Sequence, residues 1–537
     1  MTDRHNLAIK VAFGAGLLCL LVYLRTLSCG FINWDDPDYV INNPAIRSLN
    51  RQFFSDAFTT FYLGWWMPLT WISLAIDYHF WQLNPFGYHL TNILLHAVNT
   101  GLVVMIADAL LKRWSNSRET APGNLRYIIT LLAAGLLFGI HPLRVESVAW
   151  VTERKDVLNG LFALGSIYCY LKYVLMRESS EKKGPATIYY VTSLLLFMFS
   201  LMAKSVSVVV PMLLLLADWY PFCRLRKGNL GPVLLEKLPF VTLSVLVSCL
   251  TVWLAAQDDS LLAGITFWQR VVISGNAIFE YCRLLLYPVG IIPLYVIPSD
   301  FFMAYTVKTV VVIALTVFVF VASRRNPCIA ATWLGFVIPL LPTLAFTQNG
   351  MQAFAARFTY LPSLVISIVA ANVFVGTCAE RFPQRLKSLM FVPILALIIF
   401  YAALTQRLVD VFKDSDSYWS RVIAFQPFDA AFYYRGLHYF DTGKYLAAIN
   451  DFTISLSAGI RDQRQDIFNL YAFRGQALIK LGRYDEAVRD LTAALEMSPQ
   501  PIYFHYRGIA LKALGMAPQA MEDFEKAGSI EGKRHGL

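Results

Sequence analysis

Charge is what this chain has least of. Of its 537 residues only 15% are Asp, Glu, Lys or Arg, against 57% hydrophobic, and the mean hydropathy is +0.51. So little charge excludes a soluble globular protein of ordinary composition, and a bilayer must solvate most of the chain. Cysteine is sparse too. Eight stand singly (Cys19, Cys29, Cys169, Cys223, Cys249, Cys282, Cys328, Cys378), mostly inside apolar runs, with no CxxC and no metal-type spacing. That argues against a zinc module and fixes no redox compartment. The net charge of +10 comes from Lys and Arg set in short clusters between apolar runs, a topology signal rather than a nucleic-acid surface. A small-residue cleavage pattern is also missing after the first apolar run, Ile9 to Leu24, and Arg25 interrupts the approach to Leu27-Ser28-Cys29. The run is therefore expected to be an uncleaved first transmembrane helix rather than a signal peptide.

Crossing ~30 Å of hydrocarbon takes about 20 apolar residues. Such runs lie near 8–25, 88–111, 126–141, 156–175, 187–203, 205–221, 236–256, 305–323, 330–347, 360–378 and 389–407, about eleven spans in all. Basic clusters fall at alternate ends of them: Arg4 and Lys10, Lys112/Arg113/Arg118/Arg126, Lys172/Arg177/Lys182/Lys183, Arg224/Arg226/Lys227/Lys237, Arg324/Arg325 and Arg381/Arg385/Lys387. This alternation predicts a cytoplasmic N-terminus. The run 268–286, with Arg270, Asn276, Glu280 and Arg283, would break the alternation as a full crossing and is read as an interfacial or re-entrant helix. The expected architecture is all-α: a transmembrane bundle over 1–407, with a first outer loop over 26–87, and an extracytoplasmic repeat domain over 408–537.

The tail repeats itself. YYRGLHYFDTGKYLAAINDFTISL, YAFRGQALIKLGRYDEAVRDLTAAL and HYRGIALKALGMAPQAMEDFEKA centre on Gly436, Gly475 and Gly508, spaced by 39 and 33 residues, with extra residues in Arg461–Asp466. A small residue on the first helix, a turn glycine (Gly443, Gly482, Gly515) and an alanine on the second helix (Ala448, Ala487, Ala520) make a short tetratricopeptide array. Such an array serves either as a structural cap or dimerisation surface, or as a groove for a polypeptide.

Polar residues concentrate where topology does not ask for them. Phe31-Ile-Asn-Trp-Asp-Asp-Pro-Asp-Tyr39 sets Asp35, Asp36 and Asp38 among aromatics in the first outer loop, with Asn42, Asn43 and Pro44 close behind. Carboxylates against apolar surface gain proton affinity, which suits a general base. The plainer reading is an aspartate-rich turn shaped by Pro37. A second cluster, His141 to Asp156, holds Arg144, Glu146, Glu153, Arg154, Lys155 and Asp156 between the third and fourth spans. It suits either a clamp on an anionic group such as a lipid phosphate or a loop network paired within itself. Lys204 and Arg357 add two outward cations at the bilayer. His79, His89 and His96 lack carboxylate partners in a ligand pattern and are expected to pack helices. The aromatics Trp65, Trp66, Trp71 and Trp81 are expected to anchor an interfacial helix.

FINWDDPDYVINNP, PLTWISLAIDYHFWQLNPFGYHLTNILLHAVN, HPLRVESVAWVTERKDVL, AKSVSVVVPMLLLLADWYP and ARFTYLP, followed by tetratricopeptide units, stand in this order along nearly the whole chain. The set resembles the transmembrane-and-tetratricopeptide protein O-mannosyltransferases and their bacterial relatives, of the GT-C glycosyltransferase superfamily. The resemblance implies a polyprenyl or dolichyl phosphate monosaccharide donor, such as mannose, used outside the cytoplasm. It also implies a catalytic base in the acidic pair, Asp35 or Asp36, with Asp36 favoured. Arg144, Glu146, Arg154, Lys155, Asp156, Lys204, Arg357 and His141 are the expected phosphate or sugar contacts. A single displacement would invert the anomeric centre, because no second carboxylate stands as an obvious nucleophile. Superfamily members differ over a divalent metal, and none is expected here. Ala356 departs from the family pattern, which carries an acid before the arginine, and this bears on the donor sugar.

The expected partners are a lipid-linked sugar donor, membrane lipids and a polypeptide acceptor, Ser or Thr, held by the repeats, with no nucleic acid. The short array favours a bacterial inner membrane over an endoplasmic reticulum. Two other functions compete: a membrane-tethered repeat scaffold, and a lipid-linked sugar transporter. A transporter should set its ionisable groups in mid-helix near the midplane, and few are found there.

Overall fold

The computed structural model describes residues 2–114, 125–178, 183–226, 228–255, 265–346, 352–381, 391–458 and 467–534. Arg118, Lys182, Lys227, Arg385, Lys387 and Arg461–Asp466 lie outside the described residues, as do 256, 347 and 389–390 at the edges of three expected spans. The chain divides into two compact units. One comprises Met1–Phe31 with Asp35–Lys413, the other Ile32–Trp34 with Asp414–Leu537.

The first unit contains α1 (Thr2–Tyr23), α2 (Arg51–Thr59), α3 (Pro68–Trp81), α4 (Pro85–Trp114), α5 (Leu125–Gly139), α6 (Val145–Ala149), α7 (Arg154–Glu178), α8 (Lys183–Ala203), α9 (Val210–Trp219), α10 (Leu230–Ala255), α11 (Phe267–Leu286), α12 (Phe301–Ser323), α13 (Pro327–Val337), α14 (Ser363–Arg381) and α15 (Phe391–Val409). Prolines open α3 and α13, where a missing N–H costs nothing. Among the described residues seven stretches are long and apolar enough to cross a bilayer. Leu125–Gly139 and Pro142–Ala149, bent by 48°, make an eighth if taken together, and three shorter apolar helical stretches lie at Ser205–Trp219, Pro327–Thr343 and Ser363–Thr377. Each of the eleven expected runs falls on one of these stretches, of which seven, or eight with the bent pair, reach crossing length. α11 is not among them: Thr266 and Gln269 cap it reciprocally, and it buries Asn276 and Glu280.

Burial separates the centre from the rim. Of the apolar windows, 67% of that in α4 and 72% of that in α7 is buried, against 28% in α10 and 17% in α12. Helices apolar all round yet uncovered are solvated by lipid, so the membrane unit is a multi-pass bundle organised around α4 and α7. At Gly160 on α7 an added Cβ would stand 2.5 Å from the Tyr360 ring, so this glycine lets the segment before α14 lie against α7. Among the described residues one β pair forms, antiparallel between β1 (Tyr295–Val296) and β2 (Gln352–Phe354). Tyr295 and Phe354 stack there at 4.0 Å.

The second unit contains α16 (Ser415–Phe425), α17 (Asp429–Asp441), α18 (Tyr445–Ala458), α19 (Ile467–Lys480), α20 (Tyr484–Met497), α21 (Pro501–Ala513) and α22 (Ala517–Arg534). The repeat glycines act by close approach. A Cβ on Gly436, Gly475 or Gly508 would meet Phe452, Leu491 or Phe524 at 2.7, 2.9 or 2.7 Å. Beside each glycine an arginine forks onto an aspartate 16 residues ahead: Arg435 on Asp451, Arg474 on Asp490 and Arg507 on Asp523, each arm at 2.7–2.8 Å. The third arm reaches a hydroxyl on the helix before: Ser420 on α16, Thr453 on α18 and Thr492 on α20. By this bond α16 takes the place of a second helix and lengthens the array by half a unit, which the glycine pattern alone did not disclose.

Candidate functional site

The start of α7, the turns before α9 and after α13 and the segment before α14 line a cleft, with Asp156, Asn159, Lys204, Arg357, Phe358 and Tyr360 among its residues. Three of the expected site residues therefore meet on one wall. Arg357 donates to both oxygens of Glu146, once from its backbone N at 3.0 Å and once from its guanidinium. Its Nε lies 3.2 Å from Glu153, and its remaining arm reaches Gln352 of β2 at 2.9 Å. Lys204 sits 2.5 Å from Asp156 and 3.6 Å from Glu153. Lys155 lies 3.4 Å from Glu153, with its ammonium over the Tyr39 ring at 4.6 Å.

Depth sorts these charges. The side chains of Arg357 and Lys204 keep 14% and 17% of their surface exposed, whereas Glu146, Glu153 and Asp156 keep 2%, 1% and 7%. Carboxylates form a buried backing, and the cations held by it face the cleft. Burial alone works against the charge of Arg357, but Glu146 and Glu153 hold its guanidinium protonated beyond the usual arginine range. The acid beside this arginine is thus supplied by Glu146, where position 356 is alanine. Arg144, fully buried, donates to Thr359, and its Nε and Nη1 have no hydrogen-bond partner among the described residues. Arg144, Arg357, Lys204 and Lys155 thus face Glu146, Glu153 and Asp156, and Asp35 adds a fourth carboxylate in the field of Lys155.

The acidic loop has two different aspartates. Asp36 is wholly enclosed, and its Oδ1 accepts from the Thr152 backbone N at 3.0 Å and from the Thr152 hydroxyl. The sequence favoured Asp36 as the base; the structure buries its side chain against the turn before α7. Asp35 is partly exposed. Burial pushes the Tyr39 hydroxyl pKa up, Lys155 opposes this, and Asp35 and Glu153 add to it. The carboxylate of Asp35 thus shares a field with Lys155 and Glu153.

Two expected site residues lie elsewhere. Arg154 is fully buried and bonded to Asp77 at 2.6 Å, Ser73 at 2.7 Å, the Tyr88 carbonyl at 2.8 Å and Asn92. Four of its five donors are taken within the core, and these bonds fasten α3 and α4 to α7. His141 accepts from the Leu143 N at 3.2 Å and contacts the Leu285 carbonyl at 3.1 Å, which caps a turn. His96 joins Tyr360 and the Gly139 carbonyl, consistent with helix packing. Thr152, Tyr39, Asp77, Asn159 and Tyr360 were missed as site and support residues, since nothing local in the sequence marks them. Among the described residues no three His, Cys, Asp or Glu side chains are grouped to hold a metal ion.

A tetratricopeptide repeat family model matches residues 468–501. The chain is 34% identical over 173 residues to the protein O-mannosyl-transferase tmtc2 of Xenopus laevis, covering 30% of this chain and 19% of that one. It is 32% identical over 173 residues to the protein O-mannosyl-transferase Tmtc1 of Drosophila melanogaster, covering 31% and 18%. With the protein O-mannosyl-transferase TMTC2 of Mus musculus it shares 29% over 260 residues, covering 47% and 28%. The chain thus aligns with between 18% and 28% of the length of these relatives, each of which is named a protein O-mannosyl-transferase.

Proposed function

We propose that this chain is a GT-C-type membrane glycosyltransferase that moves a monosaccharide, mannose by analogy with its named relatives, from a polyprenyl phosphate to a Ser or Thr hydroxyl of a polypeptide outside the cytoplasm. The observation that carries the proposal is the cleft wall of Lys204 and Arg357 over buried carboxylates, in the same unit as the partly exposed Asp35. The lipid phosphate docks against Lys204 and Arg357, with Arg144 adding to the field. Asp35 takes the proton of the acceptor hydroxyl as its oxygen bonds to the anomeric carbon; the bond from that carbon to the phosphate oxygen breaks, and the phosphate keeps the electron pair. The cations stabilise the charge released there. One displacement inverts the anomeric centre. Lys155 and Tyr39 hold the loop, and Asp36 anchors it. The repeats present the acceptor, and the bacterial inner membrane is the setting we favour.

Purified full-length chain in nanodiscs, given polyprenyl-phosphate-mannose and a Ser/Thr-rich peptide, tests this. Transfer that Asp35→Asn abolishes and Asp36→Asn lowers only together with stability is the expected result. Unchanged transfer in Asp35→Asn overturns the base assignment. Absence of transfer from any lipid-linked sugar overturns the enzyme reading in favour of a tethered scaffold.

A further inference from the structure

Among the described residues of the membrane unit four lysine and arginine side chains are buried, and three of them are neutralised in place. Arg154 lies 2.6 Å from Asp77, Lys155 3.4 Å from Glu153 and Lys237 2.5 Å from Asp218. Arg144 is the exception. None of its surface is exposed, and among the described residues it has no carboxylate within 4 Å. One arm donates to the Thr359 hydroxyl, while Nε and Nη1 find no acceptor. The rings of Phe138 and Tyr360 flank the guanidinium at 5.7 and 5.5 Å. A ring face offsets only a small part of what it costs to take a guanidinium out of water.

A second orphan stands beside it. The hydroxyl of Tyr23, at the end of α1, is fully buried and has no partner among the described residues, and Tyr23 and Arg144 lie in one another's field. The neighbouring polar groups are already spent. His96, whose ring meets Tyr23 edge-on at 5.3 Å, has Nε2 at 2.8 Å from the Gly139 carbonyl and Nδ1 at 2.7 Å from the Tyr360 hydroxyl. A carbonyl only accepts, so in the neutral ring Nε2 carries the hydrogen and Nδ1 takes that of Tyr360. The Tyr360 oxygen in turn accepts from Asn99 at 2.8 Å. What remains is a cation and a hydroxyl with hydrogens to give. Water would accept them but leave the charge uncompensated.

We propose that Arg144 and Tyr23 hold one chloride ion inside the membrane unit. Tyr23, His96, Asn99, Phe138, Arg144 and Thr359 are all fully buried, and an enclosed site beside a single uncompensated cation calls for a small anion of one charge. A halide answers that description and a lipid phosphate does not. The ion receives hydrogens from the guanidinium and from the Tyr23 hydroxyl and supplies the counter-charge that Asp77 gives Arg154. The site is distinct from the cleft, whose lining includes Tyr360 but not Arg144. With the ion in place the field that Arg144 lends to the donor phosphate is reduced, and this consequence alone rests on the transferase reading above.

Thermal unfolding of the full chain in nanodiscs, in sodium chloride and in sodium gluconate at equal ionic strength, tests the site without any sugar transfer. The melting temperature is expected to be about 3 °C higher in chloride, to climb with the logarithm of its concentration, and to respond to bromide in the same way. Arg144→Gln is expected to abolish the response. Tyr23→Phe, which keeps the cation and removes one donor, is expected to raise the half-maximal chloride concentration about tenfold. Equal melting temperatures in the two salts overturn the site, and so does a chloride response that Arg144→Gln retains. Should Arg144→Gln fail to fold, a half-maximal concentration left unmoved by Tyr23→Phe overturns it. With polyprenyl-phosphate-mannose and peptide, the donor KM is expected to be about threefold higher in chloride than in gluconate. A KM indifferent to chloride, with the thermal response intact, overturns the part of Arg144 in the donor field and leaves the ion in place.

Discussion

The repeat array and the charged cluster beside the cleft use ion pairs in opposite ways. In the repeats, three arginines meet three aspartates at one spacing, with matching third bonds to a neighbouring hydroxyl. Each pair is complete, and repetition makes the array regular. In the membrane unit, Arg357, Lys204 and Lys155 share Glu146, Glu153 and Asp156 unequally, and Arg144 keeps donors without a partner among the described residues. A closed pair does structural work, whereas an unequally shared cluster beside a cleft is poised for a ligand.

Asp35→Asn is the sharpest way to break that contrast: transfer is expected to fall about 10²–10⁴-fold with the melting temperature unchanged, measured by initial rates and thermal unfolding. Arg154→Met comes next. By stranding Asp77 in the core it is expected to cost about 3–5 kcal/mol of stability, read as a lowered melting temperature, because the pair is buried and closed. Arg474→Ala should cost about 2 kcal/mol, read by amide exchange in α19 and α20, with the donor KM unmoved. Gly475→Ala, which presses on Leu491 at 2.9 Å, should cost about 1 kcal/mol by the same measure. Lys526→Ala, from an exposed pair with Glu522, should leave the melting temperature where it is. A larger loss of transfer in Arg474→Ala than in Arg357→Ala would remove the distinction between the two kinds of pair.

Much of the fold was legible, because its signals are local. An apolar run of membrane length needs no partner to be recognised, and the glycine that admits Phe452 or Leu491 recurs at a fixed place in each repeat. The arginine beside each of those glycines and the aspartate 16 residues on were equally regular, and the repeat alignment would have exposed them. The site was legible as a collection of residues but not as an arrangement. Arg357 finds Glu146 across 211 positions and Arg154 finds Asp77 across 77, and no spacing rule reaches so far. Asp35 and Asp36 are chemically the same residue in the same motif. Only burial, with Thr152 on one of them, tells the two apart. Arg154 and His141 looked like ligand groups because a cluster of charge is read from sequence without regard to which way each side chain turns.

The C-terminal unit is discontinuous, and that governs how it can be exchanged. Its boundary at Asp414 suggests a detachable module, yet three of its residues, Ile32–Trp34, are encoded nearly four hundred positions earlier. A graft of a relative's repeats that begins at residue 414 would bring in a new α16 and α17 while keeping the old Asn33 and Trp34. Transplanted arrays should therefore function only when the tripeptide before the acidic pair travels with them, and the two stretches should vary in concert wherever this architecture is inherited.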